Sequence, residues 1–92
     1  FAVEYTYDAR ADERAAVRPS HRAFLRDLLD GGALLASGPL ADGSGALLIV
    51  VADDDAGALA LLDPDPFHAA GLVESRSARA WAPVIGPWEP HA

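Results

Sequence analysis

An α+β domain, a four-stranded antiparallel sheet covered on one face by two helices, is the fold class this sequence predicts. Three observations predict it. The elements fall in the order strand, helix, strand, strand, helix, strand, which suits an antiparallel sheet with helices on one side. The apolar period switches from two to about 3.6 and back along the chain. Glycine and proline clusters punctuate the switches at Gly31-Gly32, Ala41-Asp-Gly-Ser44 and Pro64/Pro66. Ninety-two residues without repeat or linker make one domain, 1–92.

Phe1 to Tyr7 alternates, with Phe1, Val3, Tyr5 and Tyr7 on one face and Ala2, Glu4 and Thr6 on the other, and reads as the first strand. Asp12 is placed to cap a helical turn starting at Glu13. Pro19 removes a backbone donor and predicts a break or restart near Arg18. Beyond it Val17, His21, Phe24 or Leu25, and Leu28 recur at helical spacing as one buried stripe, and Gly31-Gly32 stops the helix. Ala33 to Leu40 and Gly45 to Ala52 are apolar runs of strand length joined by the turn residues Ala41 to Ser44, a hairpin. Asp53-Asp-Asp55 supplies caps and negative charge for a short helix over Ala56 to Leu62, which Pro64 and Pro66 end. Leu72 to Trp81 is the fourth strand, and the proline-interrupted tail 83–92 reads as irregular.

Composition narrows the function. Hydrophobic residues make up 51% of the chain and charged residues 23%, the balance of a folded domain. The net charge of −7 argues against a nucleic-acid partner and against anionic membranes, because neutralising phosphate needs a basic face. No segment reaches the ~18 consecutive apolar residues of a membrane span. The basic residues are all arginine, so Schiff-base chemistry has no lysine to use, and the lack of cysteine removes thiol nucleophiles, disulfides and thiolate zinc sites. A reducing cytoplasm is the simplest compartment for such a chain. Phe1 to Tyr7 lacks the basic leader and long apolar run of a signal peptide.

Two segments could carry chemistry. His21 stands where the helix stripe should be apolar, and Asp65 stands in the proline-stiffened run Asp63-Pro-Asp65-Pro-Phe67. An imidazole can accept or donate a proton near neutral pH, and an aspartate bonded to its other nitrogen fixes the tautomer. The same spacing also fits a hydrogen-bonded core histidine and a turn aspartate. Arg10, Arg14, Arg18, Arg22 and Arg26 recur every four residues and would form a mostly solvated stripe on a continuous helix. Arg18, three residues before His21, can offer its planar fork to an anionic substrate or to a carboxylate, whereas Arg26 with Asp30 reads as a surface pair. Ser37-Gly38-Pro39 can form a pocket wall as readily as an ordinary strand end. Phe67 and His68 stand next to Asp65 and could reach the same cavity; His91 in the tail carries no expectation. A metal site is not expected, as no HxH or HxxxH spacing occurs, and neither a P-loop nor a G-x-G-x-x-G follows a strand. No bound cofactor is called for.

In this setting three segments, taken in order, are similar to those of a known family. Arg14-x-x-x-Arg18-x-x-His21, Leu34-Leu-Ala-Ser-Gly-Pro39 and Asp65-Pro-Phe-x-x-x-Gly71 together resemble the YCII-related (YciI-like) family over nearly the whole chain. The resemblance implies a ferredoxin-like βαββαβ fold that dimerises through its sheets into a dimeric α+β barrel. It also implies a pocket in which the family's His and Asp map onto His21 and Asp65, its arginine onto Arg18, and its Ser-Gly-Pro segment onto Ser37, Gly38 and Pro39. Members resemble small-molecule enzymes with lyase or dehalogenase-like chemistry on ring compounds. This chain departs from the pattern at His68, where an aliphatic residue is commoner, and in the additional Asp63-Pro64.

The expected function is a cofactor-independent enzyme in which the His21/Asp65 pair moves a proton, with Arg18 and the backbone near Gly38 stabilising anionic charge in an elimination or isomerisation. The alternative is a dimeric metabolite-binding module or accessory domain, in which the same pocket holds a ligand that leaves unchanged.

Overall fold

The computed structural model describes Phe1 to Trp88 and shows seven elements: β1 (Ala2–Tyr7), α1 (Ala11–Asp30), β2 (Leu34–Pro39), β3 (Gly45–Val50), α2 (Asp55–Leu62), α3 (Pro66–Ala69) and β4 (Val73–Arg79). His91 lies outside the described residues. The strands form one antiparallel sheet in the order β2-β3-β1-β4, the ferredoxin-like arrangement, with β1 paired to β3 and to β4. Of the two long helices, α1 packs on β2 and on α3, and α2 packs on β4.

The period-two pattern of β1 decides its faces. Val3 and Tyr5 are fully buried, opposite Leu48 and Ala46 of β3, and join Leu25, Leu34, Val50, Ala58 and Leu62 in the core. At Gly45 the strands approach so closely that an added Cβ would overlap the Tyr5 carbonyl oxygen, which is why this register needs glycine. The β2–β3 hairpin forms as its turn residues predict, with Gly43 in the left-handed region at φ 74° and Asp42 accepting from the Ser44 amide at 2.9 Å.

The helices depart from the expectation in three ways. α1 is continuous through Pro19 rather than broken near Arg18, because Ala15, Pro19 and Ser20 are exposed, so water can satisfy the Ala15 carbonyl that proline leaves without a donor. It starts at Ala11, two residues before Glu13, and Asp12 is not its cap. The Asp8 side chain instead accepts from the Arg10 amide at 2.9 Å, just outside the first turn. Finally, the Asp63 to Phe67 run does more than end α2: Pro66 opens the one-turn helix α3, with its fixed φ suited to a first helical position. α2 itself is capped from within the acidic triplet, by Asp54 accepting from the Gly57 amide at 2.6 Å. The expected Arg26–Asp30 pair is not among the ion pairs of the described residues.

Candidate active site

His21 and Asp65 meet where α1 packs on α3. α1 carries His21 on its buried stripe with Arg14 and Leu25, and α3 carries Asp65 at its N-cap. His21 Nδ1 lies 2.7 Å from Asp65 Oδ1. The same oxygen accepts from the Phe67 amide at 3.0 Å, and Asp65 Oδ2 accepts from the Tyr5 hydroxyl at 2.9 Å. Asp65 is fully buried, so these three donors replace water around its carboxyl group. A carboxylate only accepts, which requires His21 Nδ1 to carry the hydrogen it shares with Asp65.

The other ring nitrogen is not bonded in this way. Among the described residues His21 Nε2 has no hydrogen-bond partner, yet none of their buried side-chain nitrogens or oxygens lacks one. Nε2 is therefore a solvent-reached atom of a residue that is only 9% exposed as a whole. Phe67 stacks on the ring at 3.9 Å between centroids and 3° between planes, while Tyr7 meets Phe67 edge to face at 5.8 Å. Hydrogen bond and stack together fix both the position and the plane of the imidazole.

His21 opens into a cavity of about 450 Å³, within the range of small-molecule sites. Of the residues singled out by sequence, Arg18, Ser37, Gly38, Pro39 and Phe67 line this cavity with His21. Asp65 lies behind the imidazole. His68 is not brought in: on the single turn of α3 it follows Phe67 by about 100°, and its Nε2 lies 3.8 Å from Asp63 Oδ1 instead. Asp63 is in turn held by Arg76 at 2.8 Å, so the additional Asp63 of this chain joins a polar cluster away from the cavity.

The structure adds residues that the sequence pattern does not mark. Tyr5 was legible only as a core strand residue; the available signal was its hydroxyl, since a tyrosine on a buried face needs a partner for it. Burial first, and then the neighbouring Asp65, push the Tyr5 phenol far above its ordinary value, so it stays a donor. Tyr7, Arg14 and Arg22 also line the cavity. Burial raises the Tyr7 phenol as well, with the Arg14 charge acting in the opposite direction. Arg14 is itself buried, its guanidinium 4.5 Å above the Tyr7 ring and bonded to the Asp8 carbonyl at 2.7 Å and carboxylate at 3.0 Å. Arg10 joins the same cluster, bonding Asp8 at 2.8 Å through Nε and the Gly71 carbonyl through Nη2, which ties the start of α1 to the loop before β4. Among the described residues no group of His, Asp and Glu is placed to hold a metal ion, and no helix is long and apolar enough to cross a membrane.

A ferredoxin-like domain in which a buried Asp65 backs a His21 that lines one cavity defines the class. The profile of the YCII-related domain matches residues 1–82, and the chain belongs to that family. Among solved structures, it is similar to the 5-chloro-2-hydroxyhydroquinone dehydrochlorinase of Burkholderia phenoliruptrix AC1100, determined in complex with 2,5-dihydroxybenzoquinone. The two share 23% identity and a TM-score of 0.70, over 87% of this chain and 91% of the other. At that identity the likeness speaks to the fold. A comparison with curated proteins finds no match.

Proposed function

We infer that this domain is a cofactor-independent enzyme that moves a proton on a small oxygenated ring compound, with His21 as the acid or base and Asp65 as the group that orients it. One observation carries the reading: an imidazole that lines a ligand-sized cavity has its Nδ1 2.7 Å from a buried aspartate and its Nε2 without a partner among the described residues. Asp65 stabilises the imidazolium that forms when Nε2 takes a proton, and the Phe67 stack keeps Nε2 directed at the cavity. Elimination suits these parts: Nε2 removes a proton from substrate, electrons shift toward the neighbouring carbon, and a leaving group departs from it. Isomerisation uses the same base with the proton returned elsewhere. The similar fold of a dehydrochlorinase supports beginning with chlorinated hydroxyhydroquinones.

The test is chloride release from such compounds by the parent, His21→Gln and Asp65→Asn proteins. The reading expects the His21 variant to lose about 100-fold or more of the rate, the usual contribution of a positioned acid or base. Turnover by both folded variants at the parental rate contradicts it. Tight binding of a compound that returns unchanged would instead make the domain a binding module.

We also propose that two copies associate through the uncovered sheet face. Ala2, Ala36, Gly38 and Leu47 share that face by register around the already buried Ile49, with Leu47 43% exposed and Trp81 beside it 47% exposed, an apolar patch a second copy would cover. Light scattering should give twice the monomer mass for the parent and the monomer mass for Leu47→Glu. A monomeric parent overturns the proposal.

A further inference from the structure

We propose that the cavity selects anionic ligands, planar ring compounds bearing a carboxylate or phenolate, and that Arg18 and Arg22 receive the negative group beside His21. This rests on the cavity being the ligand site described above and adds the class of ligand. The sequence carries fourteen acidic residues against seven arginines. The cavity inverts that balance: Arg14, Arg18 and Arg22 line it, and no aspartate or glutamate does.

The three arginines do different things. Arg14 is committed to Asp8 by a hydrogen bond and ion pair at 3.0 Å and is buried there. Arg18 and Arg22 make no ion pair among the described residues. They stand one helical turn apart on the exposed side of α1, three residues before and one after His21, so they flank the imidazole on its own element. Asp65, the acid nearest the ring, already accepts from three donors and is shielded from the cavity, so it does not neutralise them. Two guanidinium groups without an ion-pair partner among the described residues, on a cavity wall next to a base, form a site for planar, delocalised negative charge, which the flat fork of arginine matches with paired hydrogen bonds. The aromatic rings of Tyr7 and Phe67 on the same cavity give a ring compound its apolar contact.

The consequence is selection by charge, independent of turnover. Neutral and anionic compounds of one shape, salicylamide and salicylate, are titrated against the parent protein by calorimetry, with the His21 and Phe67 NMR signals as markers of the site. The expected result is at least about tenfold tighter binding of salicylate, as for a charge-assisted hydrogen bond. The preference should shrink with added salt and vanish in the Arg18→Gln/Arg22→Gln double variant. Both side chains are exposed, so the variant keeps its fold, which circular dichroism checks. Equal binding of the two compounds, no binding of either at tens of millimolar, or a preference that survives in the double variant overturns the inference. Charge selection without turnover of any ring compound would instead count against the acid–base reading alone.

Discussion

Tyr5 and Asp65, sixty residues apart in sequence, are joined by a hydrogen bond of 2.9 Å from the Tyr5 hydroxyl to Asp65 Oδ2. This bond links the central strand β1 to the cap of α3 and holds the carboxylate so that its other oxygen meets His21. Tyr5→Phe keeps the ring and removes the donor, leaving a fully buried carboxylate oxygen without its partner. The expected cost is ~1–3 kcal/mol of stability, read by urea unfolding. With an identified substrate, the rate should fall more than binding does, because Tyr5 positions Asp65 rather than touching ligand.

The two tyrosines give a second reading of the same network. Burial raises both phenols, Tyr5 far above the ordinary value and Tyr7 by less. A phenol whose folded value is raised favours the folded state below the unfolded value of about 10, and that contribution is lost as pH rises beyond it toward the folded value. In an alkaline titration, Tyr5 phenolate absorbance should therefore develop together with loss of the folded circular dichroism signal. Two phenolates appearing near pH 10 in a protein that stays folded would contradict the burial of Tyr5.

At the other end of α1, Asp8 predicts behaviour in acid. Hydrogen bonds from the Arg10 side chain first, and from the Arg10 amide next, hold the Asp8 carboxyl below its usual range. A lowered folded value contributes stability that is present above about pH 4, the unfolded value, and is lost as pH falls through the folded value. Asp8→Asn should reduce stability at neutral pH and flatten the decline below about pH 4. An acid limb identical to that of the parent would show that the Asp8 cluster does not support the fold.

Much of this was legible in the sequence, for reasons that vary by element. β1, the β2–β3 hairpin and α2 follow local rules, since alternation, turn residues and an aspartate cap act over a few positions. His21 stood out because a polar residue occupied an apolar stripe. The unbroken course through Pro19 was not legible, because it depends on which side of α1 faces water. Nor was Tyr5: β1 and α3 are brought together by the fold, and nothing within seven residues of Tyr5 hints at Asp65. Arg14 was hidden by its regular spacing with four other arginines, none of which the fold buries. His68 misled because nearness in sequence to Asp65 is not nearness in space on a single helical turn.

For the proposed function, His21 must donate a hydrogen bond from Nδ1 to Asp65 Oδ1 and keep Nε2 free for substrate. Nitrogen-15 NMR of the imidazole measures it directly, since the two ring nitrogens resonate differently according to which bears the hydrogen. The account predicts a neutral ring protonated at Nδ1 and bare at Nε2; a neutral ring protonated at Nε2 and bare at Nδ1 would contradict it.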